Sequence, residues 1–224
     1  MSSASRPPLV VTIDGPAASG KSSTSQMVAE RLGLRHVDSG MIYRTVTAAR
    51  LRGTDAPELW TEQSVLDVAP RVSVVPGATS FEPRLDGAEC EREIRGDAVT
   101  ATVSLVAKMP RVRAWVNDLV RATAASHEIV VDGRDMGTAV FPNARLKIWL
   151  VAMAAERARR RIVQRTGRAP TAAELAAETA ELEARDLKDR AQTQPAADAV
   201  WIDTTGITQA EQVELIVGLA LERR

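Results

Sequence analysis

Val10-Val11-Thr12-Ile13-Asp14-Gly15-Pro16-Ala17-Ala18-Ser19-Gly20-Lys21-Ser22 decides the fold of this chain. A short apolar, β-branched run enters a turn with glycine at each end, and Lys21-Ser22 opens a helix-compatible segment that reaches Leu32. The pattern is G-x-x-x-x-G-K-[S/T], the phosphate-binding loop, or P-loop. Backbone N–H groups around the glycines form a concave nest for phosphate oxygens, and the helix N-terminus adds its positive end. Gly15, Pro16, Ala17, Ala18, Ser19, Gly20, Lys21, Ser22 and Ser23 are therefore the expected ATP-binding residues. Lys21 is expected at the β- and γ-phosphates, with Ser22 as a ligand of Mg²⁺ that is shared with phosphates and water. The base-reading motif N-K-x-D of GTP switches does not occur in the sequence.

Outward from the loop, strand and helix alternate. Leu9 to Ile13 reads as a buried first strand, with Gly33 placed to close the helix that follows the loop. Leu34–Val37, Glu128–Asp132, Arg145–Val151 and Ala199–Asp203 supply four more strands, and helices are expected to Leu51, over 98–107, over 110–125 and through Leu221. Pro110 suits a first-turn position. Such alternation predicts an α/β fold, a doubly wound five-stranded parallel sheet with helices on both faces and ligands at the strand carboxyl ends. Asp14, Asp38, Asp132 and Asp203 lie at such ends. Asp14 and Asp132 are candidate orienters behind a bound metal ion.

Between 61 and 98 the texture changes to short alternating runs broken by Pro76-Gly77 and Asp86-Gly87. Asp-Gly between such runs favours a type I′ hairpin turn, so a small antiparallel β lobe is expected as an insertion. An arginine-dense segment, Glu156-Arg157-Ala158-Arg159-Arg160-Arg161, follows the fourth strand, and Thr171 to Glu174 forms a capping box. The expected organisation is a disordered tail over 1–8 and one domain over 9–224.

Composition narrows the partners. The 29 basic residues balance 29 acidic ones, so no global field draws the chain to nucleic acid or to a membrane. No run approaches the roughly 20 apolar residues of a membrane span, and residues 1–8 lack the apolar centre of a signal peptide. One cysteine, Cys90, excludes an internal disulfide, and its acidic neighbours disfavour the thiolate. A cytoplasmic address and a monomer are expected. Only four of the basic residues are lysines, one of them inside the loop. The two histidines, His36 and His127, receive no role.

The P-loop, Asp38-Ser39-Gly40-Met41-Ile42-Tyr43-Arg44, Pro110-Arg111-Val112-Arg113, Asp132-Gly133-Arg134-Asp135-Met136-Gly137-Thr138 and Phe141-Pro142-Asn143-Ala144 occur in order. Together they resemble the bacterial cytidylate kinases, with a likeness running from about residue 9 to 220. The resemblance implies transfer of a phosphoryl group from ATP to CMP or dCMP. It implies that Ser39, Tyr43 and Arg44 line the CMP site, that Arg44 and Arg134 grip its phosphate, and that Asp135, Arg113 and Ser104 read cytosine. Arg185 and Asp189 match an R-D-x-x-D segment at the sugar. Arg157, Arg160 and Arg161 fall in the E-R-A-x-R-R run of an arginine-rich lid over 156–190, where with Lys21 they would be catalytic. By the same likeness, 61–98 is the nucleoside-monophosphate-binding lobe. Gln192 stands where the family usually has another arginine, with Arg190 as the nearest substitute. A kinase of UMP, AMP or shikimate, or a nucleotide-binding regulatory module, remain as alternatives.

Overall fold

A computed structural model describes residues 7–190 and 193–224. Five strands, β1 (Val10–Asp14), β2 (Arg35–Asp38), β6 (Ile129–Gly133), β7 (Leu146–Val151) and β8 (Val200–Asp203), form one parallel sheet in the order β2-β6-β1-β7-β8. β1 is flanked on both sides, with Thr12 in register with Val131 and Lys147. Its side chains are buried on both faces, which is why the run reads apolar without alternation.

Side-chain alternation divides the core into two layers. Ile129 and Val131 join Val37, Ile42, Val46, Val116 and Val120 on the face covered by α2 (Ser39–Leu51) and α6 (Pro110–Thr123). Val130 joins Val11, Ile13, Leu146, Ile148 and Leu150 on the other, beneath α1 (Lys21–Leu32) and α9 (Gln209–Leu221). This is the doubly wound sheet expected from the sequence. Gly33 closes α1 at φ 69, with its N–H on the Ala29 and Glu30 carbonyls. Pro110 occupies the first turn of α6.

The inserted lobe follows α3 (Glu62–Leu66) and is a three-stranded antiparallel sheet of β3 (Val72–Pro76), β4 (Phe81–Leu85) and β5 (Ala88–Glu89). Asp86 (φ 54) and Gly87 (φ 79) both take left-handed backbone, as a type I′ turn requires. Asp86 also accepts from Arg52 and Arg71, stitching the hairpin to α2. α4 (Glu91–Ile94) and α5 (Asp97–Val106) lead back to the main sheet. α7 (Ala154–Thr166) and α8 (Ala172–Asp189) form a helical pair, and Thr171 and Glu174 close the expected capping box.

Asp38 caps α2 by accepting from the Met41 N–H, so Ser39, Tyr43 and Arg44 lie on that helix. Of the tail expected over 1–8, residues 1–6 lie outside the described residues, while the Pro7 carbonyl accepts a hydrogen bond from Arg145. Gln192 also lies outside the described residues.

Candidate functional site

A cleft of about 1170 Å³ opens at the carboxyl ends of β1, β2 and β6. Its floor is the P-loop. Gly15 lies so close to β7 that a Cβ would collide with the Leu150 carbonyl oxygen, and Gly20 turns into α1 at φ 88. Ala18 takes left-handed backbone at φ 56. Ala17 to Ser23 line the cleft. Gly15 and Pro16 stand behind it, and Pro16 borders a smaller cavity with Trp149 and Arg134.

Lys21 folds back over the loop, its Nζ 2.8 Å from the Pro16 carbonyl oxygen. Burial, assisted by the Arg134 charge and opposed by Asp132, Asp14 and Asp38, lowers its pKa to about 7. The protein therefore holds this lysine reluctantly as a cation, and a neighbouring anion would favour the charged form.

Three aspartates at the strand ends have different tasks. Both Asp14 oxygens accept backbone N–H groups, from Met136 at 2.9 Å and Gly137 at 2.8 Å. Burial raises its pKa to about 6 against those two bonds. Asp14 thereby pins the loop after β6, whose next residues form a π-turn over Met136–Val140. Asp38, also raised to about 6 by burial and the neighbouring Asp132 charge, caps α2. Asp132 is the one aimed at the P-loop: its Oδ2 accepts the Ser22 hydroxyl at 2.6 Å, and its Oδ1 lies 2.6 Å from His36 Nε2. Burial disfavours the charged form of His36. The hydrogen bond and charge of Asp132, with Asp38 and Glu30, outweigh it and raise the pKa above the ordinary value.

The expected acceptor residues converge on the same cleft. Ser39, Tyr43, Arg44, Ser104, Arg113, Arg134, Asp135, Arg185 and Asp189 all line it. Arg113 and Asp135 make a very short ion pair, and the Arg113 guanidinium lies 6.0 Å from the centre of the Tyr43 ring. Tyr43 is buried and its hydroxyl has no hydrogen-bond partner among the described residues. Its pKa is pushed up to about 12 by burial. Arg134 reaches the Gly15 carbonyl at 3.3 Å and Asp189 at 3.6 Å, and Asp189 also faces Arg185 at 3.7 Å. Arg44 donates to the Ile94 carbonyl and to Thr100. Ser39 spends its hydroxyl proton on the Asp132 carbonyl at 2.9 Å. From the region 61–98, only Ile94 and Arg95 reach the cleft, among the described residues.

The arginines of α7 divide. Arg160 and Arg161 line the cleft, but Arg157 does not. Arg157 is buried, donating to the Ala17 carbonyl at 2.9 Å, the Ala152 carbonyl at 3.0 Å and Asp186 at 2.6 Å. In the first turn of α7 these partners hold it under the P-loop, so it braces the loop rather than reaching into the cleft. Arg160 holds Glu156 and Thr204, and Arg159 shares the same glutamate. Arg161 and Arg165 share Glu178, at 3.0 and 3.2 Å. Arg190 faces the smaller cavity instead of the main cleft.

Sequence reading gave no role to His36, Asp186 or Glu178. The Arg185-Asp186 dipeptide was the available signal for Asp186, one residue from a site position. His36 and Glu178 sit on a strand and a helix with nothing in their spacing to announce them.

A family model described as "Cytidylate kinase" matches residues 11–222. The chain belongs to the cytidylate kinase family. A cytidylate kinase of Nocardia farcinica is 42% identical over 92% of this chain and 91% of its own length. One from Mycobacterium avium is 40% identical over 96% of each chain. The fold also matches the crystal structure of an uncharacterized protein from Eubacterium ventriosum, with TM-score 0.52 and 9% identity over 96% of this chain and 99% of that one. In this chain the P-loop and a group of arginines share one cleft.

Proposed function

We infer that this enzyme transfers the γ-phosphoryl group of ATP to CMP or dCMP, giving ADP and CDP or dCDP. The observation that carries the reading is the Arg113–Asp135 pair beside Tyr43, in the same cleft as the P-loop. A guanidinium donor fixed beside a carboxylate acceptor matches the cytosine edge, which offers a ring acceptor beside an amino donor. Uracil reverses that order and leaves both protein groups unpaired, a mismatch that costs heavily in a closed site.

The transfer needs positioning and charge more than proton removal. A phosphate monoester with a second pKa near 6 is already largely a dianion at neutral pH, so no general base is required. Arg44 and Arg134 hold the acceptor phosphate, and the nest of the P-loop holds the donor. Lys21 follows the transferring group, with Arg160 and Arg161 closing from the lid over 156–190. Arg185, Asp189 and Ser104 line the acceptor's sugar and base, and 61–98 is read as the lobe that backs α2.

Kinases of this family use a divalent metal with ATP, and we take it to be Mg²⁺. The donor set fits a hard cation: a hydroxyl on Ser22 and a carboxylate on Asp132, with no cluster of three His, Cys, Asp or Glu among the described residues to cage one. Ser22 would hold the ion together with phosphate and water, and the ion would neutralise charge developing on the β- and γ-oxygens. No helix among the described residues is long and apolar enough to cross a membrane. Both sides of the cleft come from one chain, which supports action as a monomer. Cys90, buried and unpaired, accords with a reducing cytoplasm.

The deciding experiment is Mg-ATP turnover against CMP, dCMP, UMP, AMP and shikimate. CMP or dCMP is expected to lead by at least about 10²-fold in kcat/KM. No preference among these acceptors overturns the cytosine reading, and nucleotide binding without any product points to a regulatory module.

A further inference from the structure

His36 is buried, lies outside the cleft lining, and has no part in the transfer described above. Its backbone N–H donates to the Thr79 carbonyl at 2.9 Å, in the turn joining β3 to β4. Its side chain points the other way, to Asp132 Oδ1 at 2.6 Å. An ionised carboxylate can only accept, so the ring nitrogen is the donor.

Asp132 then has little freedom left. One oxygen is occupied by His36, the other takes the Ser22 hydroxyl, and its backbone carbonyl takes the Ser39 hydroxyl. The carboxylate is almost wholly enclosed, at 3% side-chain exposure. A serine hydroxyl has one proton and two lone pairs. With the proton committed to Asp132, the lone pairs of Ser22 are left for a metal ion.

We propose that His36 is a positioning residue for the metal end of the phosphate site: it locks Asp132, and through Asp132 it orients the Ser22 hydroxyl as a ligand. The inference rests on the kinase reading and on its divalent metal. Residues that hold a ligand's partner in place are commonly worth 10- to 100-fold in metal affinity. Free rotation of the Asp132 carboxylate would let Ser22 turn its proton toward the cation.

Calorimetry separates this role from ordinary packing. Affinity for ADP is measured with Mg²⁺ and in excess chelator, and the ratio of the two is compared across variants. His36→Leu fills much of the same space without a donor, and His36→Asn carries an amide too short to reach Asp132. Both are expected to shrink the ratio by about 10-fold or more, leaving chelated ADP bound as before. His36→Gln, whose amide nitrogen can stand near the position of Nε2, is expected to restore it. Should His36→Leu not fold, the Asn and Gln variants carry the comparison.

An unchanged ratio in His36→Leu or His36→Asn overturns the proposal, whatever happens to melting temperature. So does a His36→Gln protein that loses as much as the others, because the donor would then not be what matters. A wild-type protein that gains nothing from Mg²⁺ overturns it as well. Transfer to CMP is assayed separately, so failure of the acceptor reading and failure of the His36 role are told apart.

Discussion

The floor of the cleft and its rim solve the problem of buried charge in opposite ways. On the floor, polar groups are tied to fixed partners: Asp14 to two backbone N–H groups, Asp132 to Ser22 and His36, Arg157 to two carbonyls and Asp186. At the rim, arginines are held in pairs by shared glutamates, Arg159 and Arg160 on Glu156 and Arg161 and Arg165 on Glu178. Arg159 and Arg160 both line the main cleft, whereas of the other pair only Arg161 does, with Arg165 left behind on Glu178 if it moves. The floor is thus preorganised for phosphate, and the rim can exchange a carboxylate for a phosphate without stranding a buried charge.

The sharpest way to break this contrast is Arg157→Met. If Arg157 belongs to the floor, its loss leaves Asp186 and the Ala17 carbonyl without their partner and costs about 3–5 kcal/mol. Thermal denaturation should then show a fall on the order of 10 °C for a chain of this length. A stable variant with abolished turnover would return Arg157 to the lid.

Lys21→Met should lower kcat by about 10²–10³-fold with no loss of melting temperature, since the removed charge is desolvated and adds no stability to the fold. The same variant tests the titration. Lys21 is lowered to about 7 in the folded protein, below its unfolded value of 10.5. Between those values the unfolded chain binds more protons, so this group makes stability rise with pH from about 7 to 10.5. Incoming phosphates restore the charge. ADP binding at pH 8 should therefore take up a proton, seen calorimetrically in buffers of different ionisation heat, and Lys21→Met should abolish that uptake.

Asp135→Asn probes the base end. It turns a carboxylate beside Arg113 into an amide, and CMP kcat/KM should fall by about 10- to 100-fold. ATP affinity, read by titration, should hold. Equal losses in both would remove Asp135 from the base pocket. The smallest effect belongs to the rim: Glu156→Gln should change the KM for ATP by less than about fivefold and stability by about 1 kcal/mol or less, because Glu156 and its partners Arg159 and Arg160 are all partly exposed. A large loss of stability there would show that the rim is built like the floor.

How much of this was readable in the sequence follows the same division. The five strands and their flanking helices were legible because buried parallel strands are apolar without interruption, and because Gly33, Pro110 and Asp86-Gly87 mark element ends by backbone conformation alone. Residues of the phosphate loop and the acceptor segments were legible as linear motifs, and all the expected acceptor residues meet in one cleft. Linear position failed where three-dimensional pairing decides the role. Arg157 shares a helical face with Arg160 and Arg161, yet one turn earlier on α7 it meets the Ala17 and Ala152 carbonyls and Asp186, which hold it in the interior. Asp14 looks like Asp132 from the strand ends, but a π-turn after β6 presents two N–H groups to it and none to Asp132. His36 has a role only because β2 and β6 are neighbours in register, with His36 opposite Val130 and Asp38 opposite Asp132.

The left-handed alanine of the P-loop bears on what substitutions that position can accept. Holding Ala18 at φ 56 costs about 1–2 kcal/mol relative to an ordinary conformation. Glycine would escape that cost but would give up about 0.4–1 kcal/mol through the greater freedom of its unfolded chain. Glycine should therefore be the more stable residue here, by up to about 1.5 kcal/mol, whereas a β-branched residue meets a steep barrier.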